Sequence, residues 1–112
     1  MDDAAAIDAL LEIGIDDWIS LDDVIWVALR SEGPGDRQVR TIRLLEELFR
    51  GCFAVPGELG DTGFEAWPGS PESWIVSARL ELERLSWNPM GAGFWLCLTA
   101  RGETAARANS AR

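Results

Sequence analysis

The stretch from Asp36 to Val55 constrains the fold more than any other part of the chain. Val39, Ile42, Leu45, Leu48 and Phe49 recur at three- and four-residue intervals, which an α-helix turns onto one face. Leu44 widens that face, and Arg37, Arg40 and Arg43 step along the other side. Gly33-Pro34-Gly35 separates this helix from what precedes it, and Gly51 is expected to end it. Cys52 to Val55 then reads as a strand running into a turn at Pro56-Gly57.

The remaining elements follow from similar signals. Residues 4–14 read as a helix closed by Gly14, and Trp18 to Leu21 as a short extended stretch. Ser20 is placed as the N-cap of a second helix whose inward face carries Leu21, Val24, Ile25, Ala28 and Leu29. Asp22 and Asp23 fall in its first turn, where negative charge suits the helix dipole. Glu58 to Ser70 reads as loop, punctuated by Gly60, Gly63, Pro68 and Gly69. Ser70-Pro71 opens a helix over 71–86 with Trp74, Ile75, Ala78, Leu82 and Leu85 inward and Arg79 within reach of Glu83. Gly93 to Leu98 is a second strand, and Thr99 caps a last helix expected to fray among Ala108, Asn109 and Ser110.

Composition narrows the chemistry. The 112 residues are the size of one domain, and 47% apolar with 26% charged residues is an ordinary globular balance. There is no His, which removes the commonest general base and the commonest metal ligand. All ten basic residues are Arg, as a GC-rich bacterial genome would produce. Cys52 and Cys97 are the only cysteines, and each lies in an apolar run where a reduced core thiol is expected. The first residues lack a signal peptide's basic start, and no apolar run approaches a membrane span, so the expected location is the cytoplasm with no membrane partner.

The net charge of −9 is uneven. Residues 1–36 hold ten acids against Arg30 alone, whereas the nine acids of residues 37–112 are balanced by nine Arg. The acidity therefore belongs to the first third of the chain.

Two stretches carry a family resemblance. Val39-Arg40-Thr41-Ile42-Arg43-Leu44-Leu45-Glu46-Glu47-Leu48-Phe49-Arg50-Gly51-Cys52-Phe53 resembles the third helix and first wing strand of bacterial winged helix-turn-helix repressors. Leu96-Cys97-Leu98-Thr99-Ala100-Arg101-Gly102 is similar to the end of their second wing strand and the helix after it. The resemblance covers residues 4–55 and 93–108 and implies a helix-rich α+β fold. That fold has a winged-helix-like three-helix core, a two- or three-stranded antiparallel sheet and an extra helix inserted between the wing strands. On this reading residues 1–112 form a single domain with a wing insertion at 56–92 and a frayed tail at 109–112. The insertion departs from the family, whose wing is a short basic hairpin.

Three groups of residues are candidates for function. The resemblance implies a DNA-reading face at Arg37, Gln38, Arg40, Thr41 and Arg43, because Arg donates two parallel hydrogen bonds to guanine edges or phosphates. The plainer reading is a solvated helix face in which Arg43 pairs with Glu47. The six Trp form the second group. Trp26, Trp74 and Trp95 lie in apolar runs and are expected in the core, whereas Trp67 and Trp87 lie in turns and, with Phe64, suggest an apolar docking patch. Acids form the third: Asp16, Asp17, Asp22 and Asp23 suit a basic protein partner.

No catalytic dyad, cofactor loop or metal site emerges. Adjacent carboxylates point apart on a helix, Gly91-Ala92-Gly93 lacks the dinucleotide-loop pattern, and Glu58, Asp61 and Glu65 lack calcium-loop spacing. The expectation is a non-enzymatic protein-interaction module that neutralises or regulates a basic partner, without cofactor or metal. The alternative is a DNA-binding regulator, dimerising through its terminal helices.

Overall fold

A computed structural model describes residues 1–110 and shows an α+β chain with five helices and one four-stranded antiparallel sheet. The elements are α1 (Asp3–Asp16), β1 (Ile19–Ser20), α2 (Leu21–Arg30), α3 (Arg37–Arg50), β2 (Ala54–Gly60), β3 (Gly63–Ala66), α4 (Pro71–Arg84), β4 (Trp95–Leu98) and α5 (Ala100–Ser110). The strand order is β1-β4-β2-β3, one strand more than the sequence suggested.

Helix starts follow the capping chemistry of the sequence. Asp2 accepts from the Ala5 N–H at 2.8 Å and caps α1. Ser20 and Asp23 exchange reciprocal 3.0 Å bonds as the capping box of α2. Asp36 caps α3 through the Val39 N–H at 3.0 Å, and Ser70 caps α4 with Pro71 at its first position. The Thr99 hydroxyl accepts from the Gly102 N–H at the start of α5.

Helix α1 overruns its expected end, whereas α3 stops at Gly51 as expected. Gly14 does not close α1, which continues to Asp16. A Cβ at Gly14 would lie 2.7 Å from the Leu98 side chain, so this glycine lets α1 approach β4. The left-handed residue after α3 is Cys52 (φ 60), not Gly51. The Phe53 N–H donates to Leu48 O and the Cys52 N–H to Phe49 O, the paired bonds of a Schellman ending. Helix α4 ends the same way. Ser86 (φ 54) takes the left-handed position of the motif, Trp87 (φ 59) is left-handed as well, and the Trp87 N–H donates to Leu82 O. That motif turns the residue after the left-handed one inward, which is why Trp87 is buried although its sequence neighbours are turn formers. A side chain at Ser86 adds local strain of about 1 kcal/mol. Ser86→Gly is therefore expected to stabilise the protein by no more than about 0.5 kcal/mol after glycine's entropy cost, read as a slightly raised urea midpoint with unchanged slope.

Pro56-Gly57, expected as a turn, lies inside β2. Pro56 O accepts from the Trp67 N–H just past the end of β3, so the missing proline N–H faces the same place, where the ladder has already ended. The stretch from Glu58, expected as loop, instead completes a tight hairpin whose register pairs Glu58 with Glu65 and Gly60 with Gly63. Gly63 takes φ +109, which its lack of a side chain permits.

The core lies between the sheet and the helices. Leu10 and Leu11 of α1, Val24 and Ala28 of α2, Leu45, Leu48 and Phe49 of α3, and Leu96 of β4 are all buried in one cluster with Ile19 and Phe94. The two stretches that carried the resemblance meet directly. The Thr99 N–H donates to Phe53 O at 3.0 Å, the Thr99 hydroxyl to Cys52 O, and Arg101 Nε to Gly51 O at 2.8 Å. Strands β2 and β4 pair alongside, Ala54 opposite Leu98. Helix α5 does not fray at Asn109, whose side-chain amide donates to Asp8 of α1 at 2.7 Å. Residues 111 and 112 of the expected tail lie outside the described residues.

Candidate functional surface

The Arg face of α3 is largely engaged by the chain itself. Arg40 donates from Nε to Gly35 O and from a terminal nitrogen to Ser31 O, both at 2.9 Å. Arg43 grips the Asp3 carboxylate with two bonds, at 3.1 and 2.9 Å, and also reaches Pro34 O. The hydrogen bond to Asp3, aided by its charge, raises the guanidinium pKa further. Arg43 thus pairs with α1 rather than with Glu47, as the sequence spacing had suggested. Thr41 is fully buried with its hydroxyl donating to Arg37 O, so it is no surface contact. These bonds tie the 31–35 linker and the start of α1 to α3. Only Arg37 and Gln38 of the five remain exposed and without a hydrogen bond to another part of the described residues.

The expected aromatic patch does not assemble. Trp87 is buried, Trp67 packs on Phe94 with ring centroids 4.7 Å apart, and Phe64 stacks on Trp18 at 6.3 Å. Two of the three residues expected in the core are half-buried, Trp74 and Trp95, and the third, Trp26, is 52% exposed. Neither cysteine is a fully buried core thiol: Cys52 is exposed and Cys97 is half-buried. Burial, with the charge of Glu103, pushes the Cys97 thiol up.

The acids divide into structural and exposed groups. Asp23 caps α2, and the Asp22 carboxylate accepts from the backbone N–H groups of Met90 and Gly91 at 3.2 and 2.7 Å. Asp16 and Asp17 are exposed at the end of α1, although Asp17 also accepts from the Trp18 N–H. On α4 the sequence offered an Arg79–Glu83 pair, but the ion pair formed is Arg84–Glu81. Arg50 bridges α3 to α4 through Glu72 and also holds Glu46. Its hydrogen bond lowers the Glu72 pKa, so this contribution is present above the ordinary carboxylate range and is lost as pH falls through the lowered value.

A different surface emerges along the outer side of α2. Trp26 and Leu29, one turn apart, are 52% and 54% exposed. Met90 is 81% exposed, and its backbone is bonded to Asp22, one turn before Trp26. The Arg30 guanidinium lies 3.7 Å from the Trp26 ring centroid, a stacking arrangement that holds the indole against α2. At the far end the Met1 ammonium bonds Arg30 O and Glu32, which brings exposed Met1 alongside. The result is an apolar strip, Met90–Trp26–Leu29–Met1, flanked by Asp22 and by Glu32 and crossed by the Arg30 guanidinium, with Glu32 already paired to the Met1 ammonium. The sequence placed Trp26 and Leu29 inward because α2 is apolar at nearly every position. Only Leu21, Val24, Ile25, Val27 and Ala28 reach the core.

Clefts lie elsewhere among the described residues. One of ≈ 560 Å³ between α1 and α3 is lined by Ile7, Asp8, Phe53 and side chains that include Arg43 and Arg50, whose charges are already paired. Another of ≈ 340 Å³ lies between the β2–β3 hairpin and α4. Among the described residues no three Cys, Asp or Glu stand together as a metal-binding group, and no helix is long and apolar enough to cross a membrane. The chain matches no protein-family model, no curated protein and no solved structure.

Proposed function

We propose that the chain is a non-enzymatic protein-interaction module that binds a basic protein through the outer face of α2. The observation that carries this reading is the exposed apolar strip centred on Trp26 and Leu29. Exposed Trp is the residue whose burial contributes most at protein interfaces. The uneven distribution of the −9 charge favours a basic partner, since its acidic excess lies in the third of the chain that includes α2. The scaffold is read as winged-helix-like from the order α1, β1, α2, α3, β2 and the β2–β4 pairing beside Thr99. Two unpaired cysteines fit a reducing compartment, the cytoplasm. Helices α1 and α5, on which a homodimer would rely, pack on each other.

A displayed-peptide library selected on the immobilised chain tests this reading. The expected winners combine Arg or Lys with apolar residues, and Trp26→Ser/Leu29→Ser weakens them at least about thirtyfold, an effect of ~2 kcal/mol. Winners without positive charge, or equal binding to the variant, sink the proposal.

The DNA reading retains one observation in its favour: Arg37 and Gln38 are both exposed in the first turn of α3. It predicts binding of a random duplex that weakens steeply with salt and disappears in Arg37→Ala/Gln38→Ala. With Arg40 and Arg43 engaged internally, few phosphate contacts remain for it.

A further inference from the structure

The cleft between the β2–β3 hairpin and α4 combines features that suit a small cation. Glu58, Trp67, Trp74, Ser73, Ser77 and Glu81 line it, and its volume is ≈ 340 Å³. Both indoles are fixed from behind. Trp67 packs on Phe94, while Trp74 meets Phe49 edge-on at 5.7 Å and donates its ring N–H to Pro68 O at 3.0 Å. Their positions therefore do not have to be organised by a ligand. With the Trp74 N–H engaged, what that ring offers a ligand is its π system, which attracts cations.

The charge at the cleft has the matching sign. Glu58 and Glu65 are directly opposed in the β2–β3 ladder, an arrangement of like charges that disfavours the pairing. Neither takes part in an ion pair among the described residues. The Glu65 carboxylate lies over Gly60, in the space a side chain there would fill, which leaves Glu58 as the uncompensated carboxylate facing the cleft. Glu81 is held by Arg84 and the Ser73 hydroxyl by the Ser70 backbone, which leaves the Ser77 hydroxyl as a neutral acceptor on the helix side. Among the described residues no cationic side chain lines this cleft.

We propose that this cleft binds one Arg or Lys side chain of the basic partner, stacked between Trp67 and Trp74 with its charge on Glu58. The proposal rests on the reading of that partner as basic, but the site itself is independent of α2. It explains why two tryptophans and a free carboxylate converge on a hairpin that gains nothing from its opposed glutamates.

The test follows the six indole N–H signals by NMR while argininamide is added, with citrullinamide as the neutral isostere. Argininamide is expected to move the Trp67 and Trp74 signals with saturating behaviour. Citrullinamide should bind at least about tenfold more weakly, and Glu58→Gln should weaken argininamide roughly fivefold while leaving the remaining spectrum intact. Unchanged Trp67 and Trp74 signals, or equal responses to the two amides, overturn the proposal. Trp26→Ser/Leu29→Ser should leave the argininamide response intact. Loss of peptide binding in that variant with an unmoved cleft would thus condemn the cleft and spare the α2 surface. The reverse pattern would do the opposite.

Discussion

Phe49→Ala is expected to lower the free energy of unfolding by about 3–5 kcal/mol, the range for emptying a fully buried aromatic site. Phe49 is 1% exposed at the end of α3 and meets Trp74 of α4 edge-on at 5.7 Å. Its ring therefore joins the central helix to the helix that flanks the hairpin, and truncation leaves a cavity between two elements instead of within one. A domain of this size has about 5–15 kcal/mol of stability in total, so the loss is a large share. Urea titration followed by far-ultraviolet circular dichroism measures it. Tryptophan emission should red-shift in the folded variant as water reaches Trp74. A loss below about 1 kcal/mol would mean that α3 and α4 are not joined through this ring.

Gly102→Ala sets two effects of opposite sign against each other. In an unconstrained helix the change stabilises by about 1 kcal/mol, because alanine is the better helix former. Here a Cβ would lie 2.0 Å from the carbonyl oxygen of Phe53, a backbone atom that cannot swing aside. Relief requires α5 to move off the start of β2. That movement stretches the Thr99 N–H to Phe53 O bond and the Arg101 bond to Gly51 O. Steric displacement wins, and a net loss of about 2–3 kcal/mol is expected. Thr104→Ala, at an exposed position of the same helix, should change stability by less than about 1 kcal/mol. If Gly102→Ala proved stabilising, the close packing of α5 on Phe53 would be wrong.

Local chemistry was legible in the sequence and long-range chemistry was not. The Ser20 cap, the Thr99 cap, the span of α3 and the α+β class all follow from signals within a few residues of each other. The β2–β3 hairpin was hidden because Gly57, Gly60 and Gly63 look like loop punctuation. They serve the hairpin in different ways: a Cβ at Gly57 would meet the Glu65 backbone, whereas Gly63 supplies the positive φ of the turn. Of the Arg face of α3, Arg37 is exposed, whereas Arg40 and Arg43 are half-buried against the linker and α1. What the sequence could not reveal were the acceptors, since Asp3 is forty residues distant and the others are backbone carbonyls. Trp87 and Trp26 exchanged places for related reasons. A helix ending buried the first, and α2 had more apolar residues than its inner face could hold.

The edge position of β1 has a consequence for how the protein is made. In the order β1-β4-β2-β3 its only strand neighbour among the described residues is β4, Ile19 opposite Leu96. A ribosome releases α1, β1 and α2 long before β4 exists, and at 5–20 residues per second that interval is roughly 4–15 s. Throughout it Ile19 lacks its partner strand and α1 lacks α5. The period of greatest exposure to aggregation is therefore set by the pace of translation, not by the stability of the finished fold, and chaperone demand should rise with any slowing of synthesis between residues 20 and 95.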